Sequence, residues 1–261
     1  MSAAAFLWEK VRKINQLPGA HAAYKAATRV LYRNGATVTI KRGPGAGLLW
    51  RHYDDYQTWM AMGLYEPHVA NLIVSLISPG DVFYDIGANA GYYSLIASKA
   101  VGPAGRVIAF DPVPKNAETV KEQIALNGFK ERCQVERLAV SGTPGSFSFV
   151  IDEVNANSHL SEHNVPHLKN NGQMIKVAAV TLDLFVKNNP RPALIKMDIE
   201  GAEVDALKGA RELLSGASAP TCLISTHSDE LERGVKEILA GHGYTFRNLE
   251  GFEQMVYGVK G

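Results

Sequence analysis

The segment DVFYDIGANAGYYS, residues 81–94, decides the fold. It begins with a short apolar run typical of a buried strand, passes through an aspartate and a turn with two glycines, and continues with the apolar spacing of a helix. A strand, a glycine turn and a helix in this order build a nucleotide pocket at the carboxyl end of a strand in an open α/β sheet. The segment therefore predicts a Rossmann-like sheet with a ligand site at this turn.

The spacing of the glycines indicates which ligand the turn accepts. Three residues separate Gly87 from Gly91, whereas a dinucleotide turn needs G-x-G-x-x-G and a phosphate-binding loop ends in Gly-Lys-Ser/Thr. We expect the glycines to let ligand atoms approach the backbone. Asp85 leads the turn, where a carboxylate repels phosphate and attracts a cation. D-x-G-x-N-x-G, which includes Asn89, resembles the first motif of S-adenosylmethionine (SAM)-dependent methyltransferases, whose cofactor carries an ammonium and a sulfonium group but no phosphate.

The composition favours a soluble enzyme. The chain has 261 residues and a net charge of +1, so no broad basic surface argues for nucleic acid. No run of about 20 apolar residues predicts a membrane span, and no basic stretch precedes the short apolar run near the N-terminus, so we expect no signal peptide. Cys133 and Cys222 both lie in apolar, strand-like runs. We therefore expect buried free thiols in a reducing compartment, and a cytoplasmic protein.

Two regions are predicted, an N-terminal extension over residues 1–60 and a methyltransferase domain over residues 61–261. In the extension, residues 1–34 have apolar positions at helical spacing, and the runs 37–40 and 48–53 read as the two strands of a hairpin. The rest alternates between strand-like and helical segments, which predicts a mostly parallel sheet flanked by helices. The predicted strands of this part are 82–85, 107–110, 133–140, 146–151 (antiparallel), 175–180, 193–197, 221–225, 244–247 and 254–259.

Four of these strands end in residues that can bind a ligand: Asp85, Asp111, Asp198 and His227. Ligands of open α/β sheets lie beyond the carboxyl ends of the strands, so the four together favour a site. Asp111 is placed to accept both hydroxyls of a ribose. Taken singly, each aspartate is also explained as a helix cap, and Asp111 as a turn residue before a proline.

Residues 196–203, KMDIEGAE, form the second motif. With the glycine turn, the lead-in Tyr65-Glu66-Pro67 and Thr181-Leu182-Asp183, they resemble the K-x-D-x-E-G-x-E signature of the FkbM-type methyltransferases over residues 60–230. The chain departs from many relatives in Ser225-Thr226-His227, which keeps the histidine of a Glu-x-His pattern and lacks its glutamate. The resemblance assigns Glu66, Asp85, Gly87, Asn89, Gly91, Asp111 and Ala139 to cofactor binding, and places Asp198, Glu200 and Glu203 in an acidic cluster beside the methyl-transfer site.

Methyl transfer to a hydroxyl group requires positioning and removal of a proton. The acceptor oxygen must be held about 3 Å from the methyl carbon, and a hydroxyl pKa of about 15.7 requires a base or a metal ion. If their strands are neighbours, Asp198 and His227 converge. In one mechanism His227 takes the proton and Asp198 orients the imidazole, and activity follows the titration of a histidine near pH 6.5. In the other, the two residues share a divalent metal. One carboxylate and one imidazole are few ligands for a metal, so we expect none.

The sequence thus predicts a SAM-dependent methyltransferase that methylates a hydroxyl of a small molecule or glycan. Ser158 and His159, in a polar loop over residues 155–173, together with Glu200, are the predicted acceptor-binding residues. Lys196 lies within an apolar strand, and we expect a structural role in which it pairs with an acidic neighbour across the sheet. The alternatives are a SAM- or nucleoside-binding module without activity and an NAD-dependent oxidoreductase. The identity of the acceptor and the oligomeric state stay open.

Overall fold

A computed structural model describes residues 32–54, 56, 58–151, 159–160, 173–247 and 254–261. The predicted N-terminal helix lies almost entirely outside these residues, as does most of the predicted acceptor loop. The division into an extension and a methyltransferase domain stays a prediction. Within the described part of the chain, no helix has the length and apolar character that crossing a membrane requires. Both cysteines are buried free thiols, as expected.

The helices and strands follow the predicted alternation. In chain order they are β1 (Thr37–Thr39), β2 (Leu49–Arg51), α1 (Thr58–Met62), α2 (Pro67–Leu76), β3 (Val82–Ile86), α3 (Tyr92–Ala100), β4 (Arg106–Phe110), α4 (Pro114–Leu126), β5 (Cys133–Glu136), β6 (Ala139–Val140), β7 (Gly145–Ile151), β8 (His159–Leu160), β9 (Gln173–Val180), α5 (Leu182–Phe185), β10 (Leu194–Met197), α6 (Glu203–Lys208), α7 (Arg211–Ser215), β11 (Thr221–Ser225), α8 (Asp229–Gly241), β12 (Tyr244–Arg247) and β13 (Met255–Lys260).

Seven of the described strands form the central sheet, in the order β12-β13-β11-β10-β3-β4-β5. The pairs from β11 to β5 are parallel, and β13 runs antiparallel to both of its neighbours. The predicted Rossmann-like, mostly parallel sheet is therefore confirmed. Strand order reverses at β3, which has β4 on one side and β10 on the other. Such a reversal opens a crevice at the carboxyl ends of the two strands, where open α/β sheets bind ligands.

Side chains alternate between two buried faces of this sheet. Phe83 and Leu194 pack with α2, α3, α4 and the β1–β2 hairpin in one apolar cluster. Tyr84 and Ile195, one residue further along their strands, pack with α5, α6, α7 and α8 in another. Because successive residues of a strand point to opposite faces, a strand covered on both sides must be apolar at nearly every position. The apolar runs of the sequence are the consequence.

The single strand predicted over residues 133–140 is wrong, because the chain changes sheets within it. The pairing of β4 with β5 ends at Glu136, whose carbonyl accepts the Asp111 N–H at 3.0 Å. Ala139–Val140 pairs instead with β9, in a second sheet of order β6-β9-β7-β8. The antiparallel strand predicted over 146–151 is confirmed there as β7. Alternation of side chains reports a pleated backbone, whereas it does not report which strand is the partner.

The predicted hairpin of β1 and β2 is confirmed, and two amide side chains of the α4 region extend it. Gln123 Oε1 accepts the Arg51 N–H at 2.9 Å while its Nε2 donates to the Arg51 carbonyl at 2.7 Å. Asn127 makes the same two bonds to Leu49, both at 2.8 Å. Four residues of helix advance about 6 Å and two residues of strand about 6.6 Å. The amides therefore match the hydrogen-bonding groups of the β2 edge and tie the hairpin to the sheet.

We expect Gln123→Ala to destabilise the protein by about 2–3 kcal/mol. Gln123 is fully buried, and the change removes the hydrogen-bond partners of both the N–H and the carbonyl of Arg51. Urea unfolding followed by circular dichroism measures the change. Gln134→Ala, at an exposed position of β5, is the control and should change stability by less than about 0.5 kcal/mol. Equal stabilities of the two variants would contradict the role given to the amide pair.

Candidate functional site

The candidate site lies where β3 and β10 end, and the register of these two strands determines which charged side chains lie next to each other. Lys196 is paired directly with Asp85 across the parallel strands, so both side chains lie on the same face. Asp198 follows Lys196 by two residues, which keeps it on that side. Lys196 Nζ lies 3.8 Å from Asp85 Oδ1 and 3.6 Å from Asp198 Oδ2. The expected pairing of Lys196 with an acidic neighbour across the sheet is therefore present.

Asp198 and His227 come together because their strands, β10 and β11, are neighbours in the sheet. His227 Nε2 lies 3.0 Å from Asp198 Oδ1. The same nitrogen lies 3.7 Å from Glu200 Oε2, so it faces both carboxylates. These three side chains are partly exposed, and each offers one ligand atom within 4.8 Å of the others.

The loop after β10 is shaped by Glu203, the first residue of α6. Its fully buried carboxylate accepts the N–H groups of Ile199 and Gly201, both at 3.0 Å. Glu203 thus lies in the first turn of a helix, where a carboxylate is favourable, and it satisfies N–H groups of the preceding loop. The turn that it holds includes Glu200, whose φ of 53° is unusual for a residue with a side chain.

Charges in this corner shift the three pKa values in different directions. Burial alone would raise the pKa of Asp198, but the Lys196 ammonium and the bond from His227 lower it to about 2. The hydrogen bond to Asp198 raises the pKa of His227 to about 9 in spite of its burial. Burial and the Asp198 charge raise the pKa of Glu200 to about 7. This direction departs from the expected histidine titration near pH 6.5, because the bond to Asp198 favours the protonated imidazole at that pH.

Asp85, predicted to bind the cofactor, is completely buried within the protein. Its Oδ2 accepts the Ser94 hydroxyl at 2.6 Å, and its Oδ1 has no hydrogen-bond partner among the described residues. Burial raises the pKa of its carboxyl group, while Lys196 and Ser94 oppose that shift. The structure thus gives Asp85 an internal position, behind the glycine turn.

Asp111, the predicted ribose carboxylate, joins the glycine turn to the start of α4. Its Oδ2 accepts the Asn89 N–H at 2.8 Å and its Oδ1 accepts the Val113 N–H at 3.0 Å. The Asn116 amide lies 3.2 Å from both oxygens. Burial raises the pKa of Asp111 to about 7 in spite of these bonds. The turn function considered for this residue is present, in the bond from the Val113 N–H, whereas the helix cap is not: the cap residue of α4 is Val113, which has no side-chain cap bond.

Gly87 is required by packing within the protein chain, and the approach of a ligand to it stays a prediction. Its φ is 82°, and a β-carbon there would lie 1.9 Å from the backbone oxygen of Asp198. Gly91, at φ 85°, would place a β-carbon 3.1 Å from Val120. The glycines therefore allow the turn after β3 to pack against the loop after β10 and against α4.

Glu66, from the predicted lead-in, reaches the Asp198 side of the site. Its Oε2 accepts the Tyr93 hydroxyl at 2.5 Å, and Tyr93 packs beside Tyr65 with ring centroids 6.0 Å apart. Burial raises the pKa of Glu66, and the Asp198 charge adds to the shift. Glu66 has a left-handed backbone, with φ 35°.

Positive φ angles gather around this site. Four non-glycine residues of the described chain have them: Glu66, Asn89, Glu200 and Gln254. Gln254 belongs to the site region because its carbonyl accepts the Thr226 N–H at 2.6 Å, one residue before His227. Strained backbone of this kind clusters at functional sites, where the surroundings hold it in place.

The other predicted site residues lie elsewhere or are not described. Ala139 is buried in β6, in an apolar cluster with Val113 and Ala202 that lies between the Asp111 and Glu200 loops. Ser158 is outside the described residues. His159 is described only through its backbone, which pairs with Val150 of β7.

The family model for the methyltransferase FkbM domain matches residues 85–246, more than half of the chain. The chain belongs to the FkbM methyltransferase family. The match runs from the aspartate before the glycine turn through the KMDIEGAE motif to β12. Membership of this family identifies the chain as a SAM-dependent methyltransferase, which disagrees with the alternative of an NAD-dependent oxidoreductase.

Several known proteins are similar to this FkbM-family chain. The hexuronic acid methyltransferase AglP of Haloferax volcanii is 26% identical over 179 residues, 67% of this chain and 68% of that protein. A protein-L-isoaspartate O-methyltransferase of Aeropyrum pernix is 33% identical over 81 residues, 30% of each chain. The crystal structure of an FkbM methyltransferase from Methylobacillus flagellatus superposes with a TM-score of 0.48 at 18% identity, covering 78% of this chain and 56% of that one.

We expect Gly87→Ala to destabilise the FkbM domain more than Gly80→Ala. Both glycines have positive φ, but an added β-carbon at Gly80 meets no described atom within 4 Å. The difference, measured by urea unfolding, should be about 1–3 kcal/mol, since a backbone oxygen must move to admit the β-carbon. If the two variants lose the same stability, the packing of Gly87 on Asp198 is not the constraint described here.

Proposed function

We propose that this methyltransferase transfers the methyl group of SAM to a hydroxyl group of a sugar or glycan. The proposal is carried by one observation: Asp198, Glu200 and His227 meet at the carboxyl edge of the sheet, beside the glycine turn. The similarity to a hexuronic acid methyltransferase over two thirds of the chain supports a sugar as the acceptor.

The residues around the glycine turn fit SAM. When bound, SAM supplies a methyl group made electrophilic by its attachment to a sulfonium ion. Gly87 and Asn89 are the partly exposed residues of the turn, and Glu66 adds a partly exposed carboxyl group nearby. Two buried carboxylates lie beneath this surface: Asp85 accepts the Ser94 hydroxyl, and Asp111 accepts the Asn89 N–H. A surface of backbone groups and carboxylates suits a cofactor with two cationic groups and no phosphate.

Proton removal from the acceptor hydroxyl falls to Glu200. A base is most effective when its pKa lies near the working pH, and Glu200, with a pKa of about 7, meets this condition beside His227. Asp111 also has a pKa of about 7, but it is buried and both of its oxygens accept backbone N–H groups. His227 is protonated at neutral pH, so it acts as a cation that Asp198 holds in place. The proposed roles are therefore Glu200 as base, His227 as a positive charge beside the reacting oxygen, and Asp198 as the residue that fixes His227.

We propose that these three residues work without a metal ion. Their ligand atoms lie within 4.8 Å of one another, and the third ligand makes a divalent ion the natural alternative. A histidine must be neutral to bind a metal, so a metal ion would have to displace the proton that the two neighbouring carboxylates favour on His227. Activity should therefore survive treatment with EDTA; activity that vanishes with EDTA and returns with magnesium or manganese would favour the metal.

Asp198→Asn and His227→Ala should retain SAM binding and lose turnover. Both residues act on the acceptor side, so we expect kcat to fall on the order of 100-fold. Isothermal titration with SAM, with NAD as the comparison, measures binding. Transfer of radiolabelled methyl to neutral hexosides, hexuronic acids and glycans measures turnover. Asp229→Asn, at an exposed position of α8, is the control. Parental rates in both variants would remove these residues from the mechanism.

The pH dependence of kcat separates the two possible bases. With Glu200 as base and protonated His227 as the cation, kcat rises with pH through about 7 and falls above about 9. With neutral His227 as base, kcat would instead rise through about pH 9 without a fall. Glu200→Gln should remove the limb near pH 7, measured in buffers with and without EDTA. A rise through pH 9 that Glu200→Gln leaves intact would return the role of base to His227.

A further inference from the structure

Lys196 is a charged residue in the middle of the sheet. It lies in β10 between apolar neighbours and is 3% exposed. Burial of an ammonium ion is costly unless nearby groups of opposite charge compensate for it. A lysine that only filled space here would be less costly as an apolar residue, so its charge requires an explanation.

The surroundings of the ammonium group supply that explanation. Lys196 Nζ lies 3.8 Å from Asp85 Oδ1 and 3.6 Å from Asp198 Oδ2. It also lies 3.5 Å from the Gly87 carbonyl oxygen and 5.1 Å from the centre of the Tyr93 ring. One cation therefore contacts the end of β3, the glycine turn after it and the end of β10.

The two oxygens of Asp198 are divided between two cations. Oδ2 faces Lys196, and Oδ1 is 3.0 Å from His227 Nε2. A carboxylate held at both oxygens has a fixed orientation, and that orientation sets the position of the imidazole. Although burial opposes the charged form, the carboxylates of Asp198 and Asp85 raise the pKa of Lys196, so the cation persists across the physiological range.

We propose that Lys196 is a positioning residue for methyl transfer: its buried ammonium group joins Asp85 behind the cofactor turn to Asp198, and so holds Asp198 where it binds His227. Lys196 acts through Asp198 and touches neither the cofactor nor the acceptor. The proposal rests on the proposed function for its effect on turnover, whereas the effect on the Asp198–His227 hydrogen bond can be tested without turnover.

The test compares Lys196→Met and Lys196→Arg in protein labelled with ¹⁵N-histidine. The ring N–H signal of His227, assigned with His227→Asn, reports the hydrogen bond to Asp198. In Lys196→Met we expect this signal to shift or disappear and kcat to fall between about 10- and 100-fold, because a displaced catalytic group loses its alignment. The rise in the Kd for SAM should be smaller than the fall in kcat. Lys196→Arg keeps the charge and should restore the signal and most of kcat.

Lys260→Met is the matched control. Lys260 Nζ donates to the Leu214 carbonyl at 3.0 Å and lies 5.4 Å from the centre of the Tyr244 ring. It is a partly exposed lysine of the same sheet, two strands from β10, and is bound by carbonyl groups instead of carboxylates. This variant should leave the His227 signal and kcat unchanged, even if its stability falls.

Two results would overturn the proposal. One is a folded Lys196→Met variant with the His227 signal and kcat of the parent; the other is a loss of SAM affinity with the His227 signal unchanged. If Lys196→Met does not fold because Asp85 is left without its cation, the double variant Lys196→Met/Asp85→Asn removes both charges, and the same signal decides. Absence of methyl transfer by the parent chain would contradict the proposed function alone, since the His227 signal is still read.

Discussion

The site depends on the close contact between the turn after β3 and the loop after β10. A β-carbon at residue 87 would lie only 1.9 Å from the backbone oxygen of Asp198, which occupies that space. Only a glycine allows these two segments to approach in this way. The segment proposed to bind the cofactor and the segment proposed to act on the acceptor are therefore packed directly together. Since methyl transfer is mostly a matter of placing two reactants, a rigid joint between the segments serves the reaction.

Buried carboxylates hold the loops of the site by accepting backbone N–H groups. Glu203 accepts two of them in the loop that carries Glu200, and Asp111 accepts those of Asn89 and Val113. Glu200 and Asn89 have left-handed backbones that these bonds support. Such conformations cost of order 1–3 kcal/mol each and persist only where the surroundings determine them. The apolar clusters on both faces of the sheet provide those surroundings.

The sequence predicts features that neighbouring residues determine, and it does not predict features that depend on contacts between distant segments of the chain. Strand ends and their polar residues are local, and parallel strands bring their carboxyl ends to one edge, so the pattern places Asp198 and His227 at the same edge. Their contact also requires β10 and β11 to be neighbours, which the structure shows. The change of sheet after Glu136 does not follow from the pattern, because alternation leaves the partner strand unspecified. The high pKa of His227 depends on a nitrogen placed 3.0 and 3.7 Å from two carboxylates, which spacing in the sequence does not give.

The pKa values of the two aspartates that Lys196 contacts shift in opposite directions, although Lys196 itself lowers both. Asp85, fully buried, has Lys196 as its only neighbouring cation among the described residues, and burial raises the pKa of its carboxyl group. Asp198 is partly exposed and faces both Lys196 and His227, which lower its pKa to about 2. Environments that separate the pKa values of neighbouring groups assign those groups to different functions. The low pKa of Asp198 keeps an anion beside His227, and the pKa of about 7 of Glu200 agrees with the role of base proposed for it.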